Sequence, residues 1–102
     1  METFNFEGLY LLQTRECIKE CNNIYKIGRS SNLNKRLEQY PPESVIYLVI
    51  KCGDSKIHER SIIKMFGEEY KNIKNYGKEF FEGDINDIII KFKNYILAIF
   101  PD

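Results

Sequence analysis

The spacing of apolar residues along the chain divides it into strands and helices. Gly8 opens the run Leu9-Tyr10-Leu11-Leu12, which reads as a buried strand with Tyr10 and Leu12 on one face. The polar segment Thr14 to Asn23 reads as a long hairpin loop ending in Asn22-Asn23, residues that tolerate left-handed turns. Ile24 to Arg29 forms a second strand, with Lys26 and Gly28 facing one way and Tyr25, Ile27 and Arg29 the other. Ser30, Ser31 and Asn32 supply helix caps. Leu33, Arg36, Leu37 and Tyr40 then recur at helical spacing until Pro41-Pro42 stops the helix.

Ser44 to Lys51 is rich in β-branched and aromatic residues and reads as a strand apolar on both faces, so helices are expected on both sides of the sheet. Asp54 or Ser55 caps a helix carrying Ile57, Glu59, Ile62, Ile63, Met65 and Phe66, closed by Gly67. Glu68 to Gly77 shows no clear period, and Glu79-Phe80-Phe81-Glu82 reads as a short edge strand or extended segment. A last helix, Ile85 to Phe100, carries an apolar stripe that must bury, and Pro101 ends it.

The 102 residues support one core, so 1–102 is expected to be a single domain. With 43% hydrophobic residues and no net charge, the chain is neither disordered nor a strongly basic nucleic-acid binder. Its charge is local. Lys26, Arg29, Lys35 and Arg36 fall in a stretch without an acid, the pattern of a phosphate-handling face, while Glu79, Glu82, Asp84 and Asp87 form an acidic stretch. Three cysteines, an odd number with no signal peptide, argue for a reducing intracellular setting, and no apolar run approaches the ~20 residues of a membrane span.

Glu59 heads a helical row completed by Ile62, Ile63 and Phe66. A carboxylate there needs a divalent metal or a buried arginine as partner, unless it lies at the stripe's edge and reaches water. Arg36, between Leu33, Leu37 and Tyr40, either offers its planar fork to a phosphate or lays its stem over the core. Tyr10, Tyr25 and Tyr40 are candidates for proton transfer, but a phenol is ionised only about one part in a thousand at pH 7, so nearby cations would have to lower its pKa. Cys17 and Cys21 lack the second pair of a zinc site, and His58 reads as a solvated surface residue. Tyr70 and Tyr76 are either base-stacking platforms or ordinary core.

Taken together, Gly8-Leu9-Tyr10, Lys26-Ile27-Gly28, Arg36 eight residues after that glycine, Tyr40 four later and Glu59 on the next helix resemble the GIY-YIG nuclease superfamily. The likeness covers roughly residues 6 to 82 and is nearest to the compact branch of large DNA viruses and phages. It implies an α+β fold: a three-stranded antiparallel sheet with flanking helices, ordered β-β-α-β-α, then a short extended segment and a C-terminal helix. It also implies metal-dependent phosphodiester hydrolysis. By resemblance, Tyr10 orients or deprotonates the attacking water, Arg36 holds the scissile phosphate, Tyr40 supports nucleophile or phosphate, and Glu59 binds one Mg²⁺ or Mn²⁺. Gly28 admits the phosphate, with Arg29 and Lys35 adding nucleic-acid contacts.

Lys26 stands where the second motif has its tyrosine and would act as an electrostatic activator of Tyr10. The family's late asparagine is Asn72 or Asn75. The expected function is therefore a DNA endonuclease, RNA remaining open as substrate, with a homodimer or partner supplying specificity. The alternative is a non-catalytic nucleic-acid-binding module of the same fold.

Overall fold

The computed structural model describes residues 4–100. Its elements are β1 (Gly8–Gln13), α1 (Arg15–Lys19), β2 (Ile24–Ser30), α2 (Leu33–Leu37), β3 (Val45–Lys51), α3 (Ser55–Glu69), β4 (Lys71–Asn72), β5 (Phe80–Glu82) and α4 (Ile85–Ile99). The architecture is α+β with an antiparallel sheet flanked by helices. The sheet has five strands rather than three, in the order β3-β1-β2-β5-β4. The three expected strands lie side by side as β3-β1-β2, and the late extended segment joins them as β5, paired to Ile24, Tyr25 and Lys26 of β2.

Alternation along β1 and β2 sorts the core into two layers. Leu9, Leu11, Tyr25 and Ile27 share a cluster with Phe81, with Ile62 and Phe66 of α3 and with Ile88 and Phe92 of α4. On the other face Tyr10 and Leu12 pack with Leu33, Leu37, Tyr40, Phe4 and Phe6. Helices thus lie on both faces, as the doubly apolar β3 requires. That strand is nevertheless at the sheet's edge, which leaves Val45 and Ile46 exposed.

Several local expectations are corrected by tertiary contacts. The Thr14 to Asn23 loop contains α1, because the Thr14 hydroxyl accepts from the Cys17 N–H and Cys17 is buried beneath it. The left-handed residue before β2 is Cys21, at φ 58°, and neither asparagine. Asn32 is the cap of α2, its side chain accepting from Lys35 N–H, while the carbonyls of Phe6 and Phe4 accept from Leu33 and Asn34. The helix proper ends at Leu37, and tighter turns carry the chain on to Tyr40.

Neither Asp54 nor Ser55 caps α3 with its side chain. The Glu7 carboxylate does so from outside, accepting from Ser55 N–H at 3.0 Å. Gly67 lies inside α3 instead of ending it. His58 is half-buried, with Nδ1 3.0 Å from the Tyr95 hydroxyl and its ring edge-on to Tyr95 and Phe100. Pro101 lies outside the described residues. Among those described, no helix is long and apolar enough to cross a membrane, and Cys17, Cys21 and Cys52 are all free thiols.

Candidate functional site

The centre of the site is set by strand register. Tyr10 on β1 stands directly opposite Gly28 on β2, and the Tyr10 ring lies against the glycine. A Cβ at position 28 would meet Tyr10 Cζ at 2.2 Å and its hydroxyl oxygen at 2.3 Å. The space that glycine leaves open is therefore filled by the phenol, rather than kept free for a phosphate.

Lys26 follows on the same face, two residues before Gly28. Over this surface the chain after α2 brings Tyr40, whose hydroxyl oxygen lies 2.6 Å from that of Tyr10. Lys26 Nζ donates to the Tyr40 oxygen at 2.7 Å, and Arg36 Nε donates to the Tyr10 oxygen at 3.3 Å. Arg36 Nη1 is steadied by Gln39 at 2.9 Å, and both cations lie over the Tyr40 ring. Tyr10, Lys26, Arg36 and Tyr40 are thus one hydrogen-bonded group, with Lys26 bonded to Tyr40 and not to Tyr10.

The two phenols are unequal. Burial, reinforced by the Tyr40 hydrogen bond, pushes Tyr10 up to about 12, outweighing the opposing pull of Arg36 and Lys26. The lowered phenol pKa expected from nearby cations does not arise, because Tyr10 is only 1% exposed. Burial raises Tyr40 too, but there the hydrogen bond from Tyr10 and the Arg36 charge work in the opposite direction. A negative charge is better placed on Tyr40, which has an ammonium at 2.7 Å, than on Tyr10.

Glu59 approaches from the far side of the sheet. β5 pairs only with Ile24 to Lys26 of β2, and Ile27 N–H goes to the Glu79 carbonyl, so the pairing stops short of Gly28 to Ser30. The charges acting on Glu59 all come from around this end of the pairing. Burial raises its pKa first and Glu79 raises it further, while Arg29, Lys26 and Lys78 lower it. Glu59 also lines a hollow with Lys56, Arg60, Ile63 and Lys78. Among the described residues it has no hydrogen-bond or ion-pair partner.

No group of three His, Cys, Asp or Glu side chains converges among the described residues, which is the wrong donor set for zinc. A half-buried, partnerless carboxylate with a second acid nearby does fit Mg²⁺ or Mn²⁺, hard ions that keep waters and complete their shell on substrate phosphate.

The other candidates are more dispersed. Arg29 lies on the α3 face of β2, where Nε donates to Ser55 Oγ at 2.8 Å and Ser55 Oγ donates to Glu7 at 2.7 Å. Lys35 is exposed on α2. Asn72 donates to the carbonyls of Gly77, Lys78 and Phe80, so it fastens a loop, whereas Asn75 is exposed. Glu79 and Phe80 join the site from the segment read as a short edge strand, though nothing in the local sequence places them beside Lys26. Phe80 is the cross-strand partner of Lys26, and its ring lies 5.5 Å from the ammonium. Only the β2–β5 register reveals it.

A small α+β sheet that gathers two phenols, a lysine, an arginine and a desolvated carboxylate around one strand has the make-up of a nuclease-like or nucleic-acid-binding module. Comparison with known families agrees: the T5orf172 domain matches residues 7–95, a span that includes every residue of the site. The chain belongs to the T5orf172 domain family, a phage-derived type related to nuclease-like superfamilies. No curated protein and no solved structure matches it.

Proposed function

We propose that this domain is a GIY-YIG-type, metal-dependent DNA endonuclease that hydrolyses phosphodiester bonds. The observation that carries the reading is the phenol pair at 2.6 Å with a cation on each oxygen, together with the partnerless carboxylate of Glu59. Water attacks phosphorus, the P–O bond to the leaving oxygen breaks, and that oxygen takes up a proton from solvent water. The phenolate fraction of Tyr40, which Lys26 and the Tyr10 hydroxyl stabilise, receives the proton of the attacking water. Tyr10 stays protonated and fixes Tyr40 in place. Arg36 offers its guanidinium to the phosphate oxygens as negative charge grows on them. Glu59 would hold a divalent ion, which would supply further neutralisation of that charge.

The test is cleavage of single-stranded and duplex DNA with Mg²⁺ or Mn²⁺, comparing wild type with Glu59→Gln. Cleavage by the wild type that is lost in the variant supports the proposal, and an inert wild type overturns it.

One observation favours a second reading, a non-catalytic nucleic-acid-binding module. Both phenols are pushed up by burial, Tyr10 to about 12, so neither is a base in the resting protein at neutral pH. That reading requires salt-dependent DNA binding that is insensitive to Glu59→Gln, without cleavage.

A further inference from the structure

The loop between β4 and β5 is fastened by hydrogen bonds beside the site. Asn72 Nδ2 donates to the Gly77, Lys78 and Phe80 carbonyls at 3.2, 3.1 and 2.8 Å. The N–H groups of Tyr76 and Gly77 both return to the Ile73 carbonyl, and Gly77 takes φ 135°, a turn that side chains disfavour. At the tip, Tyr76 packs edge-on against Phe80, ring centroids 5.6 Å apart at 79°, and remains 42% exposed.

Phe80 in turn stands across from Lys26, which bonds Tyr40. An exposed aromatic ring is therefore connected to the phenol pair through two side chains. Lys71 on β4 and Lys74 and Lys78 in the loop have no acid between them.

Tyr70 offers no such surface. Its ring is tilted against Phe66, its hydroxyl donates to Asp87, and it is only partly exposed. The structure thus separates two tyrosines that are equivalent in the sequence.

We propose that Tyr76, braced by Phe80, is a stacking platform for an unpaired base of the DNA strand cut at the adjacent site, so that the substrate is single-stranded or locally opened DNA. The inference rests on the nuclease reading above. A base has a free face only where it has left the duplex stack, and a ring flanked by lysines holds it by π-stacking while the cations hold the neighbouring phosphates. The fastened loop spares the cost of ordering the ring on binding.

The experiment measures binding of a short single-stranded DNA containing 2-aminopurine, and of the same strand in a duplex, at low salt without divalent metal. The expected result is tighter binding of the single strand with quenched 2-aminopurine emission. Tyr76→Ala weakens single-strand binding by roughly 5- to 150-fold and removes the quenching, while Tyr76→Phe preserves both. A fully abasic strand, which requires no variant, binds the wild type more weakly by a similar factor.

Equal binding by Tyr76→Ala and wild type overturns the platform, as does an equal loss in Tyr76→Phe, which would assign the effect to the hydroxyl. A wild type that cleaves DNA but shows no Tyr76 effect overturns the platform alone. A wild type that binds neither DNA form overturns the nuclease reading, and the platform with it.

Discussion

Lys26 Nζ donates to the Tyr40 oxygen at 2.7 Å, and that same oxygen lies 2.6 Å from the Tyr10 hydroxyl. Lysine at the second motif thus serves the phenol that follows α2, not the one on β1. Removing its charge with Lys26→Met is expected to slow DNA cleavage by roughly 100-fold or more, the scale of a positioned acid–base group. Because Tyr40 is held above its ordinary value, the wild-type rate should climb with pH from 7 to 9 as the phenolate fraction grows. A flat rate profile over that range, measured under single-turnover conditions, would remove Tyr40 from the proton path.

Gly28→Ala places a methyl group where the Tyr10 ring now lies. The expected loss of stability is about 1–3 kcal/mol, the usual cost of overpacking. Urea melts of a Tyr10→Ala, Gly28→Ala double-mutant cycle check the cause, since the alanine at 28 should cost much less once the ring is gone.

Glu59 tests metal binding and stability together. Its pKa is raised in the fold by burial and by Glu79, so its contribution to stability is fully present below the ordinary carboxylate value of about 4.3 and is lost as pH rises through the folded value. At neutral pH the ionised side chain is therefore a liability in the metal-free protein. Glu59→Gln should abolish cleavage yet raise metal-free stability slightly, by under about 1 kcal/mol after solvent screening. Millimolar Mg²⁺ should raise the melting temperature of the wild type and not of the variant. Identical Mg²⁺ responses would remove Glu59 as the ligand.

Ser55 is fully buried and links Glu7 to Arg29. Its hydroxyl and N–H hold the Glu7 pKa down, so that contribution is present above the ordinary carboxylate pKa and is lost as pH falls through the folded value. Ser55→Ala is expected to destabilise the fold at pH 7 by removing the buried hydroxyl that bridges Glu7 and Arg29. It should also flatten the acid limb of stability below the ordinary carboxylate pKa, measured by thermal melts at falling pH. An unchanged acid limb would show that Glu7 does not need the serine.

Much of the site is legible in the sequence because its geometry is local. A two-residue strand period puts Lys26 and Gly28 on one face and Tyr25 and Ile27 on the other, and the core follows that division. Turn-by-turn spacing likewise sets Arg36 and Tyr40 together, and Ile62 and Phe66 of α3 and Ile88 and Phe92 of α4 bury as their periods require, whereas Ile57 and Phe100 stay exposed. The sheet's extra strands, β4 and β5, have two and three residues. Segments so short carry no period of their own, so their pairing is illegible in the sequence.

What tertiary structure alone decided are relations between residues far apart in sequence. Register placed Tyr10 over Gly28 and Phe80 beside Lys26, and the cap of α3 came from Glu7, far upstream of the helix it serves. Even the direction of the Tyr10 pKa was decided this way, since counting nearby cations predicts a fall and burial produces a rise. Strand and helix periods are properties of neighbouring residues and can be read from their order. Desolvation, close approach and cross-strand pairing exist only once the chain has folded back on itself.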